Sequence, residues 1–389
     1  MTTVTWLERG VARTGEWLGV STPPPSRLGE ADDRTTAAEA LARVRRREAL
    51  LYFGDFRNAR QLLAALGRRI GGGGPRVTGG RSPPRAIRHD LTATHDPAQL
   101  WRAERELRRQ EHDLLGRILV PVEAGLRVPL RSAPDVSAAL SEALGPNPVL
   151  PGVMPLRDLL GMVGAHEWRR KGVHVPALDA RVHPHYGVYA PIRGEYVELV
   201  AEAVREHPVA GRRALDVGTG TGVLAFVLAR AGARVVATDV EAAAVACARE
   251  NAARLDLAGR VEVAQADLFV DGAFDLIVSN PPWLPDAART PLERAVYDPD
   301  GAFLGRLLAG LPSHLAPGGE AWLVVGDLAE RLGLRPAGEI EQAASRAGLR
   351  IAGVQETPVA HPRAGDPSDP LHAFRAMEVT RLFRLRAGA

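Results

Sequence analysis

Two short stretches of this 389-residue chain combine residue types and spacings that can do chemistry. One is "LDVGTGTG", which places Asp216, Gly218, Thr219, Gly220 and Gly222 within seven residues. The other is "DLIVSNPPWLPD", in which an apolar run ends in Asn280-Pro281-Pro282-Trp283. Consecutive prolines neither donate to a sheet nor continue a helix, so they stiffen an extended turn between an amide and an indole. The Asn280 side-chain oxygen and the Pro281 carbonyl are two acceptors suited to the two N–H bonds of a planar –NH2 group. Trp283 adds a flat face on which a planar amide or base can stack.

The glycine-rich stretch reads as the turn from a strand into a helix, where ligands sit in open α/β sheets. A dinucleotide site would require G-x-G-x-x-G, but Val223 occupies the last position and the pattern is D-x-G-x-G-x-G. Asp216 repels a pyrophosphate and welcomes an ammonium group, which fits a cofactor with a free amino-acid end and no phosphate. The next strand ends in Asp239-Val240, where a carboxylate can accept both ribose hydroxyls. A third strand is followed by Asp267-Leu268, suited to bracket an adenine. These acids recur after successive strands, which gives them a weight that each alone lacks.

From Arg212 onward the elements alternate. "RRALDV", "ARVVATD", "RVEVAQAD", "FDLIVS" and "EAWLVVG" read as strands, separated by helical stretches such as "VLAFVLARAG" and "EAAAVACARENAARLD". This spacing predicts a parallel sheet covered by helices on both faces. "LRIAGVQETPV" and "HAFRAMEVTRLFRLR" add two expected edge strands. Upstream, residues 36–70 read as helix with a break near Gly54, and Asp96-Pro97 caps a helix running to about Leu119. A further helix spans about Pro134 to Leu144, and Gly71–Arg85 reads as a flexible loop. The expected organisation is a mostly helical substrate-recognition domain over 1–150, a linker and lead-in over 151–185, and an α/β domain over 186–389.

Composition bounds the remaining possibilities. No run approaches the roughly 18 apolar residues of a membrane span, and the N-terminus lacks the order of a signal peptide, so the expected location is the cytoplasm. The single cysteine, Cys247, rules out an internal disulfide and a cysteine-rich zinc site, and reads as a small core residue. His183 and His185 lack a third ligand at metal spacing, so no metal is expected. Residues 1–150 carry 23 Arg against 17 acidic groups, a net of +6, whereas the remainder has 26 basic and 29 acidic residues. A basic front half suits a nucleic acid, an acidic protein surface, or plain solvation.

"LDVGTGTG", "ATDV", "QADLF" and "NPPW", in this order, resemble the class I S-adenosylmethionine-dependent methyltransferases, in the N-methyltransferase branch with an [N/D]-P-P-[Y/F/W] tetrapeptide. The resemblance covers about Tyr186 to Arg335. It implies a Rossmann-like seven-stranded sheet, S-adenosylmethionine held by the Gly-rich loop, Asp239 and Asp267, and an acceptor nitrogen held by Asn280, Pro281, Pro282 and Trp283. "YAPIRGEYVELV" and "YDPDGAFLGRLL" resemble segments of the glutamine N5-methyltransferases of peptide-chain release factors. Ile192 splits the Pro-Arg pair of that group, Trp283 stands where it usually has Tyr, and the front region is far longer. The resemblance implies a macromolecular acceptor, a protein glutamine ahead of an RNA base; it says nothing of oligomeric state. A nicotinamide oxidoreductase lacks a hydride-site pair here. A non-catalytic cofactor-binding scaffold is expected to lose Asn280 or Asp239, and both are present.

Overall fold

A computed structural model describes residues 2–8, 10–71, 96–145, 150–290, 292–360, 364–367 and 369–388. The chain divides into two compact units, Met1–Glu167 with Ser368–Pro370, and Trp168–Pro367 with Leu371–Ala389.

The first unit is not mostly helical, which corrects the expectation for 1–150. Its elements are β1 (Thr3–Glu8), β2 (Val11–Trp17), β3 (Leu28–Ala31), α1 (Ala37–Arg45), β4 (Ala49–Tyr52), α2 (Phe56–Gly71), α3 (Pro97–Leu115), β5 (Ile118–Val122), α4 (Ser137–Leu144) and β6 (Gly152–Pro155). Helix α5 (Leu156–Lys171) follows and runs on into the second unit. The strands form one mixed sheet in the order β1-β2-β6-β5-β4-β3. The reason is physical. "ALLY", "ILVPV" and "GVMP" are buried at every position, so they show no alternation, and a short apolar run looks the same in a strand as in a buried helix. Asp96 caps α3 as expected, accepting from the Ala98 N–H at 2.9 Å, with Pro97 in the first turn. The glycine-rich loop expected after Gly71 lies outside the described residues. Residues 151–185, expected as a linker, hold β6, α5, β7 (Val173–Val175) and β8 (Ala180–Val182).

The second unit continues with α6 (Glu195–Glu206), β9 (Arg213–Val217), α7 (Val223–Arg230), β10 (Arg234–Asp239), α8 (Ala242–Arg254), β11 (Val261–Gln265), β12 (Phe274–Ser279), α9 (Ala302–His314) and β13 (Leu315–Gly326). Then come α10 (Leu328–Arg331), α11 (Glu339–Arg346), β14 (Leu349–Pro358), α12 (His372–Arg375) and β15 (Val379–Ala387). Its seven-stranded sheet runs β11-β10-β9-β12-β13-β15-β14; the first five strands are parallel, and β15 is antiparallel to both neighbours. This is a Rossmann-like α/β fold. Period-two alternation sends Ala214, Leu276, Val278, Trp322 and Val324 into one core with α6, α7 and α8. It sends Leu215, Val217, Ile277, Leu323 and Val325 into the other with α9 and α11. Among the described residues no helix is long and apolar enough to cross a membrane.

One polar group interrupts this apolar packing. Asp216 points into the α7 side of the sheet with 1% exposure. Its Oδ2 accepts from Thr219 Oγ1 at 2.7 Å and from the Ala225 N–H at 3.1 Å, so one carboxylate ties the end of β9 to the following turn and to the first turn of α7. Burial drives its pKa from the usual 3.8 up to about 6, against the pull of those two hydrogen bonds. The folded chain therefore binds this proton more tightly than the unfolded chain. The stability this group contributes is complete below about pH 4 and is lost as pH rises through about 6. Asp216→Asn, which never ionises, should gain on the wild type across that range by up to about 3 kcal/mol, read as the difference in unfolding free energy. A difference that stays flat from acid to neutral pH would show that the carboxylate is not ionising in a buried site.

Candidate active site

The strand order reverses between β9 and β12, since β10 and β11 lie to one side of β9 and β12 and β13 to the other. Chains leaving the C-terminal ends of β9 and β12 therefore diverge and open a crevice. Ser279 Oγ donates to the Val217 carbonyl at 2.8 Å and pins the two strand ends together below it. Asp216–Gly222 and Asn280–Trp283 leave from these two ends, while Asp239-Val240 and Asp267-Leu268 leave from β10 and β11.

The glycine loop has Gly218, Gly220 and Gly222 all at positive φ, +72°, +55° and +90°, a backbone that residues with a Cβ rarely adopt. Four of its N–H groups are spoken for. Gly218 and Thr219 both donate to the Thr238 carbonyl at 2.9 Å, Gly220 donates to Asp239 Oδ2 at 3.0 Å, and Gly222 donates to the Thr219 carbonyl at 2.9 Å. A phosphate-binding loop instead aims such groups at the ligand. With those donors consumed and a buried acid behind them, the loop suits a ligand with an ammonium group and hydroxyls, and disfavours a pyrophosphate.

Asp239 is half-buried. Its Oδ1 accepts from the Glu241 N–H at 3.0 Å while Oδ2 takes Gly220, which fixes the carboxylate plane and leaves lone pairs for two hydroxyls. Burial raises its pKa, and these N–H bonds oppose the rise. Val240 beside it is an apolar side chain 58% exposed, its carbonyl held by Gln265 Nε2 at 3.0 Å. Asp267 is exposed and pairs with Arg306 Nη2 of α9 at 2.5 Å. Leu268 takes φ +73° and packs into the core, and its carbonyl accepts from Thr238 Oγ1 at 2.6 Å.

On the other side, Asn280 and Pro282 are half-buried and Pro281 is buried. No hydrogen bond holds the Asn280 side chain among the described residues. Trp283 is fixed more firmly. The N–H groups of Trp283 and Leu284 both donate to the Val296 carbonyl, at 3.2 and 3.1 Å. The Trp283 carbonyl accepts from Arg335 Nη2 at 2.8 Å, and Arg335 is only 6% exposed. Arg193 lies in the lead-in to α6. It donates to Glu195 Oε1 at 2.8 Å and to Glu378 Oε1 at 3.1 Å, tying that lead-in to the start of β15.

Sequence reasoning missed Arg335, Glu378, Gly326, Arg306 and Phe303. The Phe303 ring stands beside the glycine loop, with Cζ 3.8 Å from where a Cβ on Gly218 would lie. Asp298, in the stretch that follows the clamp, caps α9 by accepting from the N–H groups of Phe303 and Leu304 at 2.8 and 3.0 Å, and so positions that ring. The histidines take packing roles: His183 Nδ1 lies 2.7 Å from the Arg169 carbonyl and His185 Nε2 lies 2.8 Å from Glu250 Oε2. Cys247 is buried, with its thiol pushed up to about 12 by desolvation. No group of metal-ligating side chains occurs among the described residues.

Comparison with known proteins matches residues 180–334 to the family model "Methyltransferase small domain". A release factor glutamine methyltransferase from Cereibacter sphaeroides is 40% identical over 144 residues, 33% of this chain and 51% of that protein. A ribosomal RNA small subunit methyltransferase C from Alcanivorax borkumensis is 33% identical over 157 residues, 39% of this chain and 45% of that protein. Among solved structures, a ribosomal protein L11 methylase from Lactobacillus delbrueckii subsp. bulgaricus aligns with a TM-score of 0.38 and 22% identity, covering 54% of this chain and 87% of that one. The chain spans about half the length of the curated relatives it matches. The crevice between β9 and β12, with its glycine loop and its Asn-Pro-Pro-Trp turn, thus lies within the residues that are similar to a methyltransferase small domain.

Proposed function

We propose that this chain transfers a methyl group from S-adenosylmethionine to a planar amide nitrogen of a macromolecule, a protein glutamine side chain. The observation that carries this reading is the placement of Asn280-Pro281-Pro282-Trp283 and the donor-depleted glycine loop at adjacent strand ends, across one crevice. Bound there, the cofactor supplies an electrophilic methyl on a sulfonium centre. Asp239 and Asp267 offer acceptors for ribose and adenine, and the acid of Asp216, buried beneath the loop, favours the ammonium end.

The clamp does the acceptor's work. An amide nitrogen is a weak nucleophile because its lone pair is delocalised, and Asn280 Oδ1 and the Pro281 carbonyl take its two N–H bonds and aim the nitrogen at the methyl. Trp283 supplies the stacking face. The 180–334 family match and the release-factor relatives support a glutamine acceptor. An RNA base is the second reading, favoured by the net +6 of residues 1–150 and by the ribosomal RNA relative. We further propose the first unit as the substrate-recognition element.

Calorimetry should show binding of S-adenosylmethionine, weakened by about 1.5–3 kcal/mol in Asp239→Ala, the range for hydrogen bonds to a charged group. Binding of NAD in its place would end this reading. Asn280→Ala should keep cofactor affinity while turnover falls about 10²-fold or more, because the lost contact acts on the reacting nitrogen. Wild-type turnover in that variant would make the turn structural. For the acceptor, methyl-labelled cofactor and enzyme are added to extract from cells lacking the gene, and the product is divided between protease and ribonuclease. Label released by protease supports glutamine; label lost only to ribonuclease overturns it in favour of RNA.

A further inference from the structure

Trp283 is the fourth residue of the clamp, and its indole is larger than the tyrosine ring usual in the release-factor group. Something must make room for the extra ring. The end of β13 shows what. A Cβ built on Gly326 would lie 2.7 Å from Trp283 Cζ2 and 2.8 Å from Cη2, with Glu378 Oε1 next at 3.3 Å. Those two distances are shorter than any real contact of a Cβ, so the benzo edge of the indole rests directly on the Gly326 backbone. Gly326 is not among the glycines at positive φ, so conformational freedom is not what the position needs. It needs the absence of a side chain.

The neighbours cannot give way. Glu378 is 1% exposed and held by Arg193, and its Oε2 is buried without a partner among the described residues. Its carboxylate oxygen and the indole edge both approach the point where a Gly326 Cβ would lie. The main chain of Trp283 is fixed at its N–H by the Val296 carbonyl and at its own carbonyl by Arg335. Pushed from below with its main chain held, the half-buried indole must shift its ring.

We propose that Gly326 is a positioning residue for the acceptor. It seats the Trp283 indole against the Arg193–Glu378 pair, and the depth of that seat sets the width of the slot for the planar –NH2 group. The seat itself is geometric; its effect on acceptor binding rests on the methyl-acceptor reading above.

Three variants test it: Gly326→Ala, Trp283→Phe and the double variant. Phenylalanine lacks both ring atoms that the added methyl would meet. In Gly326→Ala, turnover should fall on the order of 10- to 10²-fold, the scale for a reacting group displaced by about 1 Å, with cofactor affinity unchanged. The double variant should recover toward Trp283→Phe alone in both turnover and melting temperature. Trp283 emission, taken as the difference from Trp283→Phe, should shift in Gly326→Ala. If Gly326→Ala does not fold, the double variant should. An unshifted emission, or a double variant no better than Gly326→Ala in melting temperature, overturns the seat whatever the enzyme methylates. Shifted emission and a recovered melting temperature alongside wild-type turnover uphold the seat and overturn its role in placing the acceptor.

Discussion

The site depends on one buried carboxylate. Asp216 sits at the end of β9 with its Oδ2 shared between Thr219 Oγ1 and the Ala225 N–H, and this bridge sets the angle at which the chain turns from strand to helix. Once that angle is set, Gly218 and Thr219 fall under the Thr238 carbonyl and Gly220 meets Asp239. The hydrogen bonds that shape the loop are the same ones that remove its donors from the ligand. A loop built this way disfavours a pyrophosphate, with the buried carboxylate of Asp216 beneath it and the half-buried carboxylate of Asp239 beside it. Cofactor class follows from how the turn is folded, more than from the glycine count.

The two sides of the crevice are built to different stiffness. On the acceptor side, Trp283 is held at its N–H, at its carbonyl and along its ring edge by residues from the 296 turn, from 335 and from the end of β13. Asn280, two prolines earlier, has its side chain unheld among the described residues. A fixed plane beside an unheld amide is a sensible division for a clamp. Under the proposed reaction the plane would define orientation before the acceptor arrives, and the amide would keep its acceptor capacity for the incoming N–H. On the cofactor side Asp267 is exposed and paired with Arg306, a surface contact of small intrinsic worth that an adenine amino group can displace.

What the sequence made legible was local. Each motif that pointed to the crevice lies within a few residues of a strand end, and a strand, a turn and an acid in register are readable because the turn residues are neighbours in the chain. Two kinds of information were not readable. Three of the first unit's strands, β4, β5 and β6, are four or five residues long and buried at every position, so the "ALLY" strand carried no alternation and was absorbed into the helical reading of 36–70. The seat of Trp283 comes from residues 43, 52 and 95 positions further on, Gly326, Arg335 and Glu378, which only the sheet order brings back to the end of β12. Nothing in their own surroundings marks them. The His183–His185 alternation shows the reverse case, where a local pattern hinted at chemistry and the fold used both side chains for packing.

The absence of a strong base in the clamp has a chemical logic under the proposed reaction. The acceptors that face the nitrogen, the Asn280 amide oxygen and the Pro281 carbonyl, are neutral, so they can align two N–H bonds without removing a proton beforehand. An amide has no need of prior deprotonation if its nitrogen is turned so that the lone pair points at the methyl. Once the N–C bond forms and the S–C bond breaks, the nitrogen carries positive charge and becomes strongly acidic, and its surplus proton passes to water unaided. In this structure Glu195 and Glu378 are turned toward Arg193. Under the proposed reaction the contacts to the acceptor nitrogen fall to the two neutral oxygens.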